Sequence, residues 1–168
     1  MLVFITGGVR SGKSAYAMKR AKELTLEPVY IATAKIWDED FQKRVRRHQD
    51  ERGPEWTSIE AYRDLHLLPL EGRVVVIDCV TLWLTNFFME RENDIDLSLS
   101  DFKKEIDKLV LVDATFMIIS NELGMGMHAD TEVGRKFADL QGWANQYVAG
   151  KSSEAVFMVS GLPMFLKK

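Results

Sequence analysis

Residues 7–14 read Gly-Gly-Val-Arg-Ser-Gly-Lys-Ser, a glycine pair bracketing four residues and followed by lysine and a hydroxyl. Types in this order can hold a polyphosphate. Gly7 and Gly12 permit backbone angles and close approaches that a Cβ would forbid. The N–H groups of Gly7, Gly8, Val9, Arg10, Ser11 and Gly12 can then point at phosphate oxygens beside a helix N-terminus. Lys13 can reach the β and γ phosphates, and the Ser14 hydroxyl can hold Mg²⁺. The competing reading is a chance glycine-rich turn. The flanks argue against it, because Leu2–Thr6 is apolar and β-prone and Ser14–Leu24 is amphipathic, so the motif sits between a strand and a helix as it must to work.

Other chemistry lies where strand-like runs end. Arg73–Ile77 leads into Asp78, a carboxylate placed to hold the Mg²⁺ of a bound triphosphate, although strands also end in Asp for turn or capping reasons. Ala32, Thr33 and Ala34 are small enough to admit a base or ribose, or to pack tightly against a helix. Phe41 to Arg52 carries His48 with Arg44 and Arg52 one helical turn away on either side. Arginines there would hold phosphates and keep the imidazole neutral, hence nucleophilic. Pattern alone favours the plainer alternative, a solvated basic helix face with an incidental histidine. Asn121 and Glu122, followed by Gly124 and Gly126, read as a site loop or a plain connection. Cys79 reads as a small core residue. His66 and His128 have no partner pattern, Gln141 and Asn145 receive no role, and no Cys/His cluster has zinc spacing.

The elements that must position these residues alternate. Strands are expected at Leu2–Thr6, Pro28–Thr33, Trp56–Glu60, Arg73–Cys79, Thr115–Ser120 and Ala155–Ser160. Helices are expected at Gly12–Leu24, Asp38–Arg52, Thr81–Arg91, Leu99–Val112 and Asp130–Ala149, with a surface loop over 90–100. This predicts an α/β fold of the P-loop NTPase type: three α/β/α layers around a mainly parallel sheet, with Leu162–Leu166 as a C-terminal edge strand. A length of 168 residues fits a single domain, 1–168. A net charge of −3 argues against nucleic-acid binding driven by bulk charge. One cysteine excludes an internal disulfide, no apolar run has the length of a membrane span, and the start in strand and P-loop leaves no room for a signal peptide, so a cytoplasmic location is expected.

Taken together, three blocks carry a family resemblance: Arg44-Val45-Arg46-Arg47-His48, Asp78-Cys79-Val80-Thr81-Leu82-Trp83-Leu84, and Asn121-Glu122-Leu123-Gly124-Met125-Gly126. With the P-loop, and over nearly its whole length, the chain resembles the bifunctional adenosylcobinamide kinase/adenosylcobinamide-phosphate guanylyltransferases of cobalamin biosynthesis. The resemblance implies two reactions. ATP or GTP phosphorylates the hydroxyl of the corrinoid's aminopropanol arm. A histidine, here His48, then takes GMP from GTP and passes it to the corrinoid phosphate. It also implies nucleotide contacts at Gly7 to Ser14, Ala32 to Ala34, Gln49, Asp50, Glu51, Arg52, Glu60 and Asp78, catalytic roles for His48 and Lys13, Mg²⁺ at Ser14 and Asp78, and a homotrimer. The first of the two adjacent histidines of some members is Arg47 here, and the proline common after the second loop glycine is absent from Met127–Asp130. The rival readings are a P-loop kinase of another small alcohol, with His48 structural, and a nucleotide switch or DNA-linked ATPase.

Overall fold

The structure, a computed structural model, describes residues 1–35 and 53–168. The strands are β1 (Leu2–Gly7), β2 (Val29–Ala32), β3 (Thr57–Glu60), β4 (Val74–Asp78), β5 (Thr115–Ile119), β6 (Glu154–Val159) and β7 (Leu162–Lys167). The helices among the described residues are α1 (Lys13–Leu24), α2 (Val80–Glu90), α3 (Ile95–Leu109) and α4 (Glu132–Lys151), with a short 3₁₀ turn at Leu65–Leu67. The strands form one sheet in the order β3-β2-β4-β5-β1-β6-β7. Every pairing from β3 to β6 is parallel, and only β7 runs antiparallel, against β6.

Parallel strands need crossover connections, and the crossovers cover both faces. The central strands are accordingly apolar on both sides, and β1 is buried at all six positions, whereas the edge strands β3 and β7 are largely exposed. Alternate residues feed two cores. Leu2, Phe4, Ile31, Val75, Ile77, Phe116 and Ile118 face Trp83 and Phe87 of α2, Phe102 and Ile106 of α3, and Leu140 and Val148 of α4. Val3, Ile5, Val76, Met117, Ile119 and Val156 face Ala17 and Ala21 of α1. This is the three-layer arrangement that the alternating pattern predicts.

The expected loop over 90–100 is corrected. Only residues 91–94 turn, and α3 starts at Ile95, four residues before the expected start at Leu99. Its cause is local: the Asp94 side chain caps the helix, accepting from the Leu97 N–H at 2.8 Å. Glu92 and Asn93 take left-handed backbone angles just before it. The C-terminal edge strand forms as expected. Pro163 lacks an N–H, and β7 lies outermost, paired on one side only.

Candidate functional site

β1 delivers the chain into the P-loop, and α1 begins at Lys13 directly after it. Gly12 caps that helix with φ at 94°, a left-handed conformation that explains the glycine. A Cβ on Gly7 would lie 2.5 Å from the Met158 carbonyl oxygen, so the loop is pressed against β6. Lys13 is only 7% exposed. Its ammonium donates to the Gly8 carbonyl at 2.6 Å and lies 3.5 Å from Ser11 Oγ. Burial holds its pKa below the usual lysine value, partly opposed by the charge of Asp78.

Asp78 ends β4 beside this loop. Its Oδ2 accepts from Ser14 Oγ at 2.8 Å and from the Tyr30 hydroxyl at 2.7 Å. A serine hydroxyl and a carboxylate oxygen in direct contact are hard oxygen donors, a set that suits Mg²⁺. Arg10, Ser11, Gly12, Lys13, Ser14, Asp78 and Asn121 share one cleft of about 400 Å³. Another cleft of about 530 Å³, between Met1, Arg20, Glu23, Glu154 and Lys168, contains none of the expected site residues.

Register aligns several expected residues in one row. Ala32 lies opposite Glu60 on one side and Asp78 on the other, and Asp78 lies opposite Ile119. These are the carboxyl ends of parallel strands, where open α/β sheets bind ligands. Glu60 and Ala34 line a separate cleft of about 500 Å³ with Lys35, Ala61, Tyr62 and Arg63. Thr33, expected among the nucleotide contacts, directly follows β2. It is fully buried, and its hydroxyl donates to the Cys79 carbonyl at 2.8 Å while its own carbonyl accepts from Asn86 Nδ2 at 2.7 Å. Its side chain fastens β2 to the start of α2, and Ala34 lines the cleft beside Glu60. The expected helix Asp38–Arg52, with His48, Gln49, Asp50, Glu51 and Arg52, lies outside the described residues.

Two features went unread in the sequence. Tyr30 is one; its hydroxyl emerges from the apolar strand β2 onto Asp78. The other is a buried polar network under the loop after β5. Ser120 Oγ donates to Asn145 Oδ1 at 2.6 Å, and Gln141 Nε2 donates to both at 2.9 and 3.0 Å. Asn145 Nδ2 reaches the Asn121 carbonyl at 3.1 Å, and Asn121 Nδ2 donates to Thr81 Oγ1 at 2.9 Å. The Glu122 N–H donates to the Gly7 carbonyl at 3.0 Å, which ties this loop to the P-loop. The readable signal was an amide pair four residues apart on a helix whose neighbouring positions are apolar. Cys79 is core, as expected, and burial pushes its thiol up to about 12.

Comparison with known proteins places the sequence in a family. The family model for cobinamide kinase / cobinamide phosphate guanyltransferase matches residues 3–166. The chain is 34% identical to the bifunctional adenosylcobalamin biosynthesis protein CobP of Pseudomonas aeruginosa, over 97% of this chain and 95% of that one. It is 30% identical to the bifunctional adenosylcobalamin biosynthesis protein CobU of Escherichia coli, over 99% and 100% of the two chains. Among solved structures it is similar to an ATPase domain, with 13% identity and a TM-score of 0.47 over 93% of this chain and 68% of that one. The match over almost the whole chain places the protein: it belongs to the cobinamide kinase / cobinamide phosphate guanyltransferase family.

Proposed function

We propose that the chain carries out two successive transfers on one corrinoid. It phosphorylates the hydroxyl of adenosylcobinamide with ATP or GTP. It then moves GMP from GTP, through a guanylylated His48, onto adenosylcobinamide phosphate to give adenosylcobinamide-GDP. The observation that carries the phosphoryl half is the contact of Ser14 with Asp78 beside the buried Lys13. Family membership carries the second half.

In the first transfer the P-loop N–H groups and Lys13 hold the triphosphate and stabilise charge on the γ-phosphoryl oxygens. Lys13 already spans the loop to the Gly8 carbonyl, so its ammonium needs only to exchange that acceptor for phosphate. Ser14 and Asp78 would hold Mg²⁺, which neutralises charge on the phosphates. In the second transfer a neutral imidazole nitrogen of His48 attacks the α-phosphorus of GTP. The bond to pyrophosphate breaks and a phosphoramidate forms. A phosphate oxygen of the corrinoid then displaces the histidine, which leaves with its electron pair restored. Splitting one displacement into two is what a covalent nucleophile offers. We assign nucleotide contacts to the P-loop, Ala32 to Ala34, Gln49 to Arg52, Glu60 and Asp78, and propose a single cytoplasmic domain assembled as a trimer.

The test is mass spectrometry of the protein after incubation with GTP labelled at the α-phosphate. An acid-labile, base-stable GMP adduct on the peptide containing His48 is expected. Kinase turnover with no such adduct would leave a P-loop kinase with a structural His48.

A further inference from the structure

The 3₁₀ turn at Leu65–Leu67 shares no residue with the P-loop cleft and packs against α3. It is held firmly: Leu65 is fully buried, the Leu67 N–H donates to the Asp64 carbonyl at 2.9 Å, and Trp83 Nε1 donates to the Tyr62 carbonyl at 2.5 Å just before it. On the other side, α3 is anchored by Phe102, stacked edge-to-face on Trp83 at 5.3 Å between centroids, and by the fully buried Ile106. Between these two supports sit Asp64, His66 and Glu105. Each offers one ligand atom, and the three atoms lie within 4.8 Å of one another.

Two of these side chains carry a buried polar atom that has no hydrogen-bond partner among the described residues. Glu105 is 7% exposed, and its Oε2 is buried with no hydrogen bond. His66 Nδ1 is buried and equally unpaired. Such groups cost stability unless something satisfies them. An acceptor carboxylate and an imidazole nitrogen facing one space are the donors a divalent transition-metal ion takes. We propose that Asp64, His66 and Glu105 form a binding site for such an ion, Zn²⁺ by donor set, separate from the nucleotide cleft.

The chemistry favours this class. One imidazole nitrogen and two carboxylate oxygens select zinc-like ions over Mg²⁺ and Ca²⁺, which prefer all-oxygen sets. Three protein ligands leave a fourth tetrahedral position open to water. Ligands on a tetrahedral zinc sit about 3.4 Å apart at bond lengths near ~2.1 Å, so closure from the observed spread is a side-chain adjustment. Two carboxylates and a neutral imidazole balance the charge of one divalent ion. Lys108 Nζ, 3.6 Å from Asp64 Oδ1, is the competing cation. Both partners of that pair are about half exposed, so it is weak and easily exchanged. The sequence concealed the set because Glu105 comes from a different element, far along the chain from the Asp64-x-His66 pair.

The test uses the full chain stripped of metal. Zn²⁺ is titrated against a chromophoric chelator, and melting is followed by circular dichroism with and without Zn²⁺. One ion per chain and a rise in melting temperature are expected, undiminished by excess Mg²⁺. Glu105→Gln keeps the volume of the buried side chain and should weaken Zn²⁺ binding at least about tenfold, as should Asp64→Asn and His66→Ala. X-ray absorption should show one imidazole among oxygen ligands. No Zn²⁺ uptake by the wild-type chain would overturn the proposal, and so would equal affinity in all three variants, which would put the ion elsewhere. A crystal structure with His66 Nδ1 donating directly to Glu105 in the presence of Zn²⁺ would also overturn it.

Discussion

Ser14 Oγ and Asp78 Oδ2 meet at 2.8 Å, which joins the first turn of α1 to the carboxyl end of β4. The P-loop is thus not a free-standing anion cradle. Its hydroxyl is already oriented by the carboxylate that would share its metal, and Tyr30 holds the same oxygen from β2. Asp78→Asn keeps the shape and removes the charge. Phosphoryl transfer should fall by roughly 10²–10³-fold, the usual loss on removing one preorganised electrostatic group. The Mg²⁺ concentration for half-maximal rate should rise about 10–100-fold. Steady-state kinetics across a Mg²⁺ series measures both, and an unchanged Mg²⁺ dependence would remove Asp78 from the metal site.

Lys13 and His48 should separate the two reactions. Lys13→Ala is expected to depress both, because both need a bound triphosphate. His48→Ala should abolish GMP transfer and leave phosphorylation within about threefold of wild type, since uninvolved side chains contribute little to a transition state. Assaying corrinoid phosphate and corrinoid-GDP separately decides the matter. Equal loss of both activities in His48→Ala would make the histidine a shared binding group.

Cys79 should be inert in the folded protein. Its thiol titrates near 12 because burial, and next the charge of Asp78, disfavours the thiolate. The unfolded thiol titrates near 9.0. Between these values the unfolded chain binds fewer protons than the folded one, so stability falls as pH rises through that window. Modification by a disulfide reagent at pH 8 should be slow without denaturant and fast with it. Urea midpoints should decline above pH 9, and less so in Cys79→Ala.

Asn145 secures the loop after β5 through Ser120, Gln141 and the Asn121 carbonyl. Asn145→Ala strands buried partners and should cost about 2–3 kcal/mol in urea unfolding. The KM for the nucleoside triphosphate should rise as well, because the Glu122 N–H ties this loop to Gly7. An unchanged unfolding midpoint would mean that water substitutes for the amide.

The legible parts of the chain were those in which cause is local. A β-prone run, a glycine-rich turn and an amphipathic helix in direct succession identified β1, the P-loop and α1 within a residue or two. Asp78 was legible as a strand end for the same reason. Its two hydrogen-bond partners were not both legible: Ser14 belongs to the motif, whereas Tyr30 reads as one more apolar residue in β2 and only sheet register brings it to Asp78. Register also decides that Glu60, Ala32 and Asp78 share a row, and no periodicity in one chain encodes which strands neighbour. The start of α3 was misjudged because polar residues over 90–100 mask the capping Asp94. At Thr33 a small polar residue at a strand end can serve a ligand or the backbone, and the sequence alone does not show that its hydroxyl donates to the Cys79 carbonyl.

The position of β1 has a consequence for how the protein is made. β1 is synthesised first, yet both of its neighbours, β5 and β6, come from the second half of the chain. On the ribosome the P-loop strand must therefore wait, apolar and unpaired, until β5 ends at residue 119, and its second neighbour is complete only at residue 159. Translation at roughly 5–20 residues per second makes that wait several seconds or more. The segment that defines nucleotide binding is thus also the one most in need of protection while the chain grows.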